Sequence, residues 1–454
     1  MIRCLKTFDV GTKPRQARSV ELMIGDEAFV LLCVSENPLL DPWPESFGYI
    51  DHPLALMLFD KDGNKRWKRV FGRGTVPGIW FSPFIAFDLD GDGTDEIYFV
   101  HNTDDDHPFS QFNTVLEKID PRNGETVECY PFPAQNTVLE KMSYAFRHNL
   151  SAGYVDGEAV LVTAQGAYTN MYLQAYTKGM KPLWERVIAK DEKGSRASHH
   201  ICVYDYNGDG VDEMFYGERM ISLADGHDVA CFGADTFSGH SDVVLPFYDD
   251  EDNYYVYTCR ENGSYVGCDR VVTFDADGNV VWRALTATDE GPQNHIHYGW
   301  LATVKPDYRR IVMACNLGAG NKHTVADIYT FDALTGAPTD FPFPQPLSRI
   351  IPIDVNGDGY HEFFGDGKIY DCEGKVLIDL GEDAVAVKHT KMLGLSGEQI
   401  LIRRKGESVI ELWGDDEAVE SERFCKRHSR GFHSHMNKLT GAGYNSMATV
   451  STAM

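Results

Sequence analysis

The sequence predicts an all-β chain folded as a single β-propeller of eight blades, or seven if one segment is miscounted, and three observations predict it. The first is an internal repeat: FDLDGDGTDEIYF from Phe87, YDYNGDGVDEMFY from Tyr204 and IDVNGDGYHEFFG from Ile353, each an apolar run, an acidic glycine loop and a second apolar run. The second is a set of weaker hairpins of the form strand, Asp-x-x-Gly turn, strand, starting at Leu58, Lys118, Thr273, Thr330 and Ile369. The third is spacing: units begin near Arg18, Pro83, His148, His200, His240, His297, Arg349 and His389, roughly 40 to 65 residues apart, and long helical periodicity is nearly absent. About eight units of four short strands suit a propeller, whose radial repetition leaves few exposed sheet edges.

Taken in order, the unit from Arg18 holds the Leu58 hairpin, and that from Pro83 holds the first acidic loop and the Lys118 hairpin. The unit from His200 contains the second loop, those from His240 and His297 the Thr273 and Thr330 hairpins, and that from Arg349 the third loop with the Ile369 hairpin. Residues 428–454 have little strand character, so the expected organisation is a propeller over 1–427 and a tail over 428–454. The tail would pack on a propeller face or, with the N-terminal strand, close the ring. Separate β-sandwiches would need linkers, and no Pro, Ser or Gly-rich linker interrupts the repeat.

The 454 residues are 43% apolar, enough for a sizeable core, and the formal charge of -26 argues against nucleic acid and anionic membrane as partners. The first 20 residues lack an apolar stretch of signal-peptide length and no window reaches a membrane span, so a cytoplasmic location is expected. Ten cysteines without a CxxC pair suit reduced, mostly buried thiols.

In each acidic loop oxygen-bearing side chains alternate around a tight Gly turn: Asp88, Asp90, Asp92 and Asp95; Asp205, Asn207, Asp209 and Asp212; Asp354, Asn356, Asp358 and Glu362. A hard cation collects six to eight oxygens in such a setting, so structural Ca2+ is expected. No Glu at the twelfth loop position and no flanking helical period make an EF-hand a poor reading.

The unit starts are themselves informative. In a propeller the innermost strands line the channel, so His148, His200, His240, His297 and His389 would ring one face. Arg349 shares the register of His200, each five residues before a loop aspartate. A rise near 3.3 Å per residue puts about 16 Å between this end and the calcium loops. Imidazoles serve as acid or base near neutral pH, and Arg147, Arg196, His199, Asp242, Tyr298, Arg260 and Glu261 lie nearby in sequence. Eliminating a 4-linked sugar from a uronate needs a cation for the carboxylate, a base for C5-H and an acid for the leaving oxygen. Arginine, histidine and tyrosine supply these roles. A single histidine at a strand start is more often structural; five in repeat register favour function for the group. His295 with His297, or His433 with His435, could hold a transition metal if another blade supplied a third ligand. Trp43, Phe47, Tyr49, Trp80, Phe81 and Tyr168 are candidate sugar-stacking faces or core.

With these residues in view the chain resembles the propeller polysaccharide lyases, chiefly the family 11 rhamnogalacturonan lyases. The likeness rests on the acidic loops, on GHSDVVLPFYDDEDNYYVYTCREN from Gly239, on FDADGNVVWRALTATDEG from Phe274 and on GAGYNS at Gly441. It implies an eight-bladed propeller with structural calcium that cleaves rhamnose-galacturonate bonds by β-elimination, in a version shorter than those enzymes. Enzymes acting on terminal rhamnose-α-1,4-glucuronate are a second resemblance, and the expected cytoplasmic location would favour a short oligosaccharide substrate. On this reading Arg147 or Arg349 holds the carboxylate, His200 or His240 takes the C5 proton, and Tyr298 or His297 protonates the leaving group. His148 belongs to the same ring, and His199, Arg196, Arg260, Trp80 and Tyr168 bind substrate. The rivals are a rhamnosidase-like hydrolase, using Asp242 with Glu261 or Asp289 as paired carboxylates, and a non-catalytic carbohydrate-binding propeller.

Overall fold

The computed structural model describes residues 1–44, 50–110, 112–132, 141–199, 201–261, 268–286, 296–317, 325–341 and 350–429. Eight antiparallel sheets are arranged as the blades of a propeller; seven have four strands and the sixth has three among the described residues. The first strands are Gln16–Ile24, Phe84–Phe87, His148–Val155, Cys202–Tyr204, Ser241–Tyr248, Ile296–Val304, Ile351–Ile353 and Ala384–Thr390. Each touches the next, and the eighth touches the first, so these strands form the inner ring.

Burial follows this radial order. The inner strand of blade 6, Ile296–Val304, is buried at every position, while the outer strand of blade 1, Lys65–Val70, is half-buried or exposed throughout. The inner strands accordingly read as apolar runs, being covered on both faces. Blade 8 is completed by the N-terminal strand Ile2–Asp9, which pairs antiparallel with Val409–Asp415. The ring is thus closed by the N-terminal strand.

Two contacts recur between blades. Outer-strand tryptophans Trp67, Trp184 and Trp282 donate their indole N–H to the carbonyls of Pro121, Leu223 and Ala333 in the following blade, at 2.7, 2.8 and 2.7 Å. The turn glycine beneath each ring, such as Gly226, has positive φ, and a Cβ there would lie 2.7 Å from the Trp184 ring, so only glycine fits. At the inner ring, Asp95, Asp212 and His361 each donate a backbone N–H to, and accept a side-chain hydrogen bond from, the preceding blade's inner strand, at Met23, Tyr154 and Thr303. Asp95 and Asp212 are among the expected loop ligands, but this bridging turns their carboxylates toward the neighbouring blade. The ninth loop residue, Glu96, Glu213 or Glu362, faces the loop instead and accepts the backbone N–H of the second residue in all three copies.

The helix Glu422–Ser429 seals the loop end. Arg423 and Lys426 pair with Asp250 and Asp252 of blade 5 at 2.7 and 2.8 Å, and the fully buried Arg427 donates to Asp354 at 2.8 Å. The expected boundary between 427 and 428 therefore falls inside a helix packed on the propeller; residues 430–454, with His433 and His435, lie outside the described residues. All ten cysteines are free thiols, and among the described residues no helix is long and apolar enough to cross a membrane.

Candidate active site

At the end opposite the acidic loops, three blades deliver side chains to one carboxylate. Asp242 and His297 lie near the starts of the inner strands of blades 5 and 6. Both fall at register shifts where the residue has no cross-strand partner, between Ser241 and Val243 and between Ile296 and Tyr298. Such bulges re-aim a side chain. The segment before blade 4 runs beside blade 5, with Arg196 N–H donating to Gly239 at 2.8 Å and His199 N–H to Asp242 at 3.3 Å, and this carries His199 to the same point.

The resulting cluster is compact and dry. His297 Nδ1 is 3.0 Å from Asp242 Oδ2, and His199 Nε2 is 3.2 Å from Oδ1. His240 Nε2 lies 3.2 Å from the same Oδ1, but neither of its ring nitrogens makes an aligned hydrogen bond. Asp242 is 1% exposed, and His297, the most open of the four, 8%. Burial, then the nearby His240, His297 and Arg147, hold His199 well below the usual imidazole range, against the pull of Asp242, so it is neutral at pH 7. Two overlapping sets, His199 with Asp242 and His297, and His240 with Asp242 and Glu261, keep their ligand atoms within 4.8 Å of one another. Imidazoles mixed with carboxylates, and a buried imidazole lacking a hydrogen bond, fit a divalent cation.

Aromatic rings and one guanidinium surround the cluster. Trp80 meets His199 edge-on at 5.8 Å, and Tyr168 lies 4.7 Å from His240. Arg147 sits over both rings, 4.8 Å from Trp80 and 5.4 Å from Tyr168, with Asp41 at 3.6 Å. Trp43 reaches Tyr168 at 6.3 Å.

Of the expected site residues, the structure therefore brings together His199, His240, His297, Arg147, Trp80 and Tyr168. His148 begins the inner strand of blade 3, but its ring is wedged between Phe132 and Phe146 at 4.8 and 6.0 Å, and burial pushes it down to about 4. Tyr298 rests edge-on against His297 at 4.6 Å and packs in the core with Trp300 and Phe363. Arg260 is held by the buried Glu218 in a two-pronged pair at 2.7 and 2.6 Å, and Arg196 donates to the carbonyls of Lys190 and Glu192. His389 is a correction: its strand begins at Ala384, so it lies near the far end, beside Lys388 and the field of Glu398, and is no part of this ring. His200, Arg349, His295, Asp289, Phe47 and Tyr49 lie outside the described residues. The sequence reading gives Asp242 only a minor place; its sole local signal is the His-x-Asp spacing with His240.

No family model matches the chain. It is 26% identical over 313 residues to the rhamnogalacturonan exolyase YesX of Bacillus subtilis, covering 58% of this chain and 46% of that protein. It is 24% identical over 297 residues to the endolyase YesW of the same organism, covering 56% and 44%. Its homologues are rhamnogalacturonan lyases. The chain spans about half the length of these curated relatives. A solved rhamnogalacturonan lyase of Bacillus licheniformis superposes with a TM-score of 0.71 at 18% identity, covering 98% of this chain and 81% of that one, and shares the propeller.

Proposed function

We propose that the chain is a propeller lyase that cleaves a rhamnose-uronate bond by β-elimination, with its chemistry at the Asp242 cluster. The observation that carries this reading is the convergence of His199, His240 and His297, from three blades, on one buried carboxylate beside the Arg147 guanidinium. The lyase relatives support the reaction class.

In β-elimination a base removes the C5 proton, its electron pair forms the C4–C5 double bond as the C4–O bond breaks, and the departing oxygen is protonated. His240, whose ring nitrogens make no aligned hydrogen bond, is the base among the described residues, with His200 the alternative. His297 is engaged through Nδ1 by Asp242, which orients the ring so that proton exchange runs through Nε2, and it is the acid for the leaving oxygen. Arg147, its plane set by Trp80 and Tyr168, offers a fork for the uronate carboxylate. A divalent cation held by His199 and Asp242, which leaves His240 free to act as the base, would supply further positive charge to that carboxylate and so acidify C5-H. Calcium in the acidic loops would act on stability alone.

Asp242 and Glu261 are near enough to suggest the paired carboxylates of a hydrolase. Three imidazoles already surround Asp242, however, which leaves it a poor nucleophile. The test is incubation with rhamnogalacturonan and gum arabic oligosaccharides while following the ultraviolet absorbance of the conjugated double bond. A rise with either supports the proposal; saturated products, or no turnover with any divalent metal, would overturn it.

A further inference from the structure

The three acidic loops look interchangeable in sequence, but their third and ninth positions differ in structure. In the second and third loops the amides of Asn207 and Asn356 donate to Glu213 and Glu362, each at 2.9 Å. In the first loop both positions are acidic, Asp90 and Glu96, and the ammonium of Lys118 lies between them. It contacts the Asp90 carboxylate and sits 2.8 Å from Glu96 Oε1. The site is largely enclosed, with the Lys118 side chain 12% and that of Glu96 9% exposed. Lys178, from the turn of the next blade, contacts the Asp90 carbonyl.

Strand register shows that this lysine is special to the first loop. Lys118 faces Tyr98, two residues after the ninth loop position. The residue two after that position in the second loop, Phe215, faces Met220, and in the third loop Phe364 faces Ile369. Where one blade places an ammonium, the other two place an apolar side chain that offers no charge to the loop.

We propose that Lys118 is a tethered counter-cation that takes the place of a divalent ion in the first acidic loop, so that this loop closes without metal while the second and third depend on it. The inference rests on the reading of these loops as calcium sites. An ammonium 2.8 Å from one carboxylate oxygen and in contact with a second carboxylate occupies the space between two of the oxygens a cation would need, and its charge repels one. Arg427 reaches only the first residue of the third loop, Asp354, and leaves Asn356 and Glu362 to each other.

The test is calcium bound per chain, by elemental analysis after saturation and removal of free ion, on the full-length protein. Glu96→Gln should leave the count at the wild-type value, whereas Glu213→Gln should lower it by one. Lys118→Met, which copies the residue of blade 4, should raise it by one and make the melting temperature newly sensitive to chelation. If Glu96→Gln loses an ion as Glu213→Gln does, or if folded Lys118→Met gains none, the inference fails while the calcium reading stands. If no variant changes the count, both fail. The Glu96→Gln arm keeps the result decisive should Lys118→Met not fold.

Discussion

The two ends of the inner strands are built on opposite principles. At the acidic end each loop is satisfied mostly by its own backbone: Asp205, for example, accepts the N–H groups of Gly208, Asp209 and Gly210 at 2.7 to 3.0 Å. At the histidine end His199 and His297 reach Asp242 from other blades, so three blades must be placed correctly for the imidazoles to meet it. A local design is modular and can be copied from blade to blade, with variation such as the Lys118 ammonium between Asp90 and Glu96 in the first loop. A convergent design exists once, and it depends on the stability of the ring around it. Under the proposed function, that contrast corresponds to stability at the loops and chemistry at the histidines.

The contrast can be broken or sharpened experimentally. The largest stability effect is expected at the histidine end, at the pair joining blades 4 and 5 beside Ser241. Glu218→Ala would leave the Arg260 guanidinium buried and unpaired and should cost about 3–5 kcal/mol in chemical denaturation, with turnover of the remaining folded protein at low temperature largely kept. A collapse of turnover without loss of stability would place Arg260 in the site instead.

The next concerns His148. Its folded value of about 4 lies below the ordinary imidazole value of 6.5, so the unfolded chain binds the proton more tightly, and stability is lost as pH falls from about 6.5 toward 4. His148→Phe should remove up to about 3 kcal/mol of that acid sensitivity, read as a flatter stability profile over this window. A parallel profile would mean that this imidazole is not held neutral by its phenylalanine neighbours.

The smallest effect belongs to the second acidic loop. Burial, with neighbouring carboxylates, pushes Glu213 up to about 7 and Asp212 up to about 6. Metal-free protein should therefore lose this contribution as pH rises through the folded values, and a bound cation should offset the loss. The gain in melting temperature on adding calcium should grow by a few degrees between about pH 5 and pH 8. A gain that shrinks with pH would contradict a cation at Glu213.

Much of this was legible in the sequence because propeller information is local and repeated. The acidic turns and Asp-x-x-Gly hairpins marked the blades, and their register pointed to the opposite end of the inner strands, where His240 and His297 are found. What escaped is non-local. Asp242 becomes a hub only because bulges at Asp242 and His297 and the segment before blade 4 bring three blades together. The hydrogen bonds that Asp95 and Asp212 accept from the N–H groups of Met23 and Tyr154 are equally invisible in the sequence, because these partners belong to other blades. Lys118 meets Asp90 across the sheet, 28 positions away. His389 was misplaced because blade 8 has no acidic loop to fix its register, and its inner strand begins five residues earlier, at Ala384.

The central claim is that catalysis belongs to the convergent end and not to the loops. It is tested most directly by the turnover of two near-isosteric variants, Asp242→Asn and Asp209→Asn, measured on rhamnose-uronate oligosaccharides with melting temperatures recorded alongside. Asp242→Asn should lose roughly 10²–10⁴-fold in kcat with little change in melting temperature, while Asp209→Asn should keep its kcat and lose stability. The reverse pattern, turnover surviving at Asp242→Asn and lost at a fully folded Asp209→Asn, would contradict it.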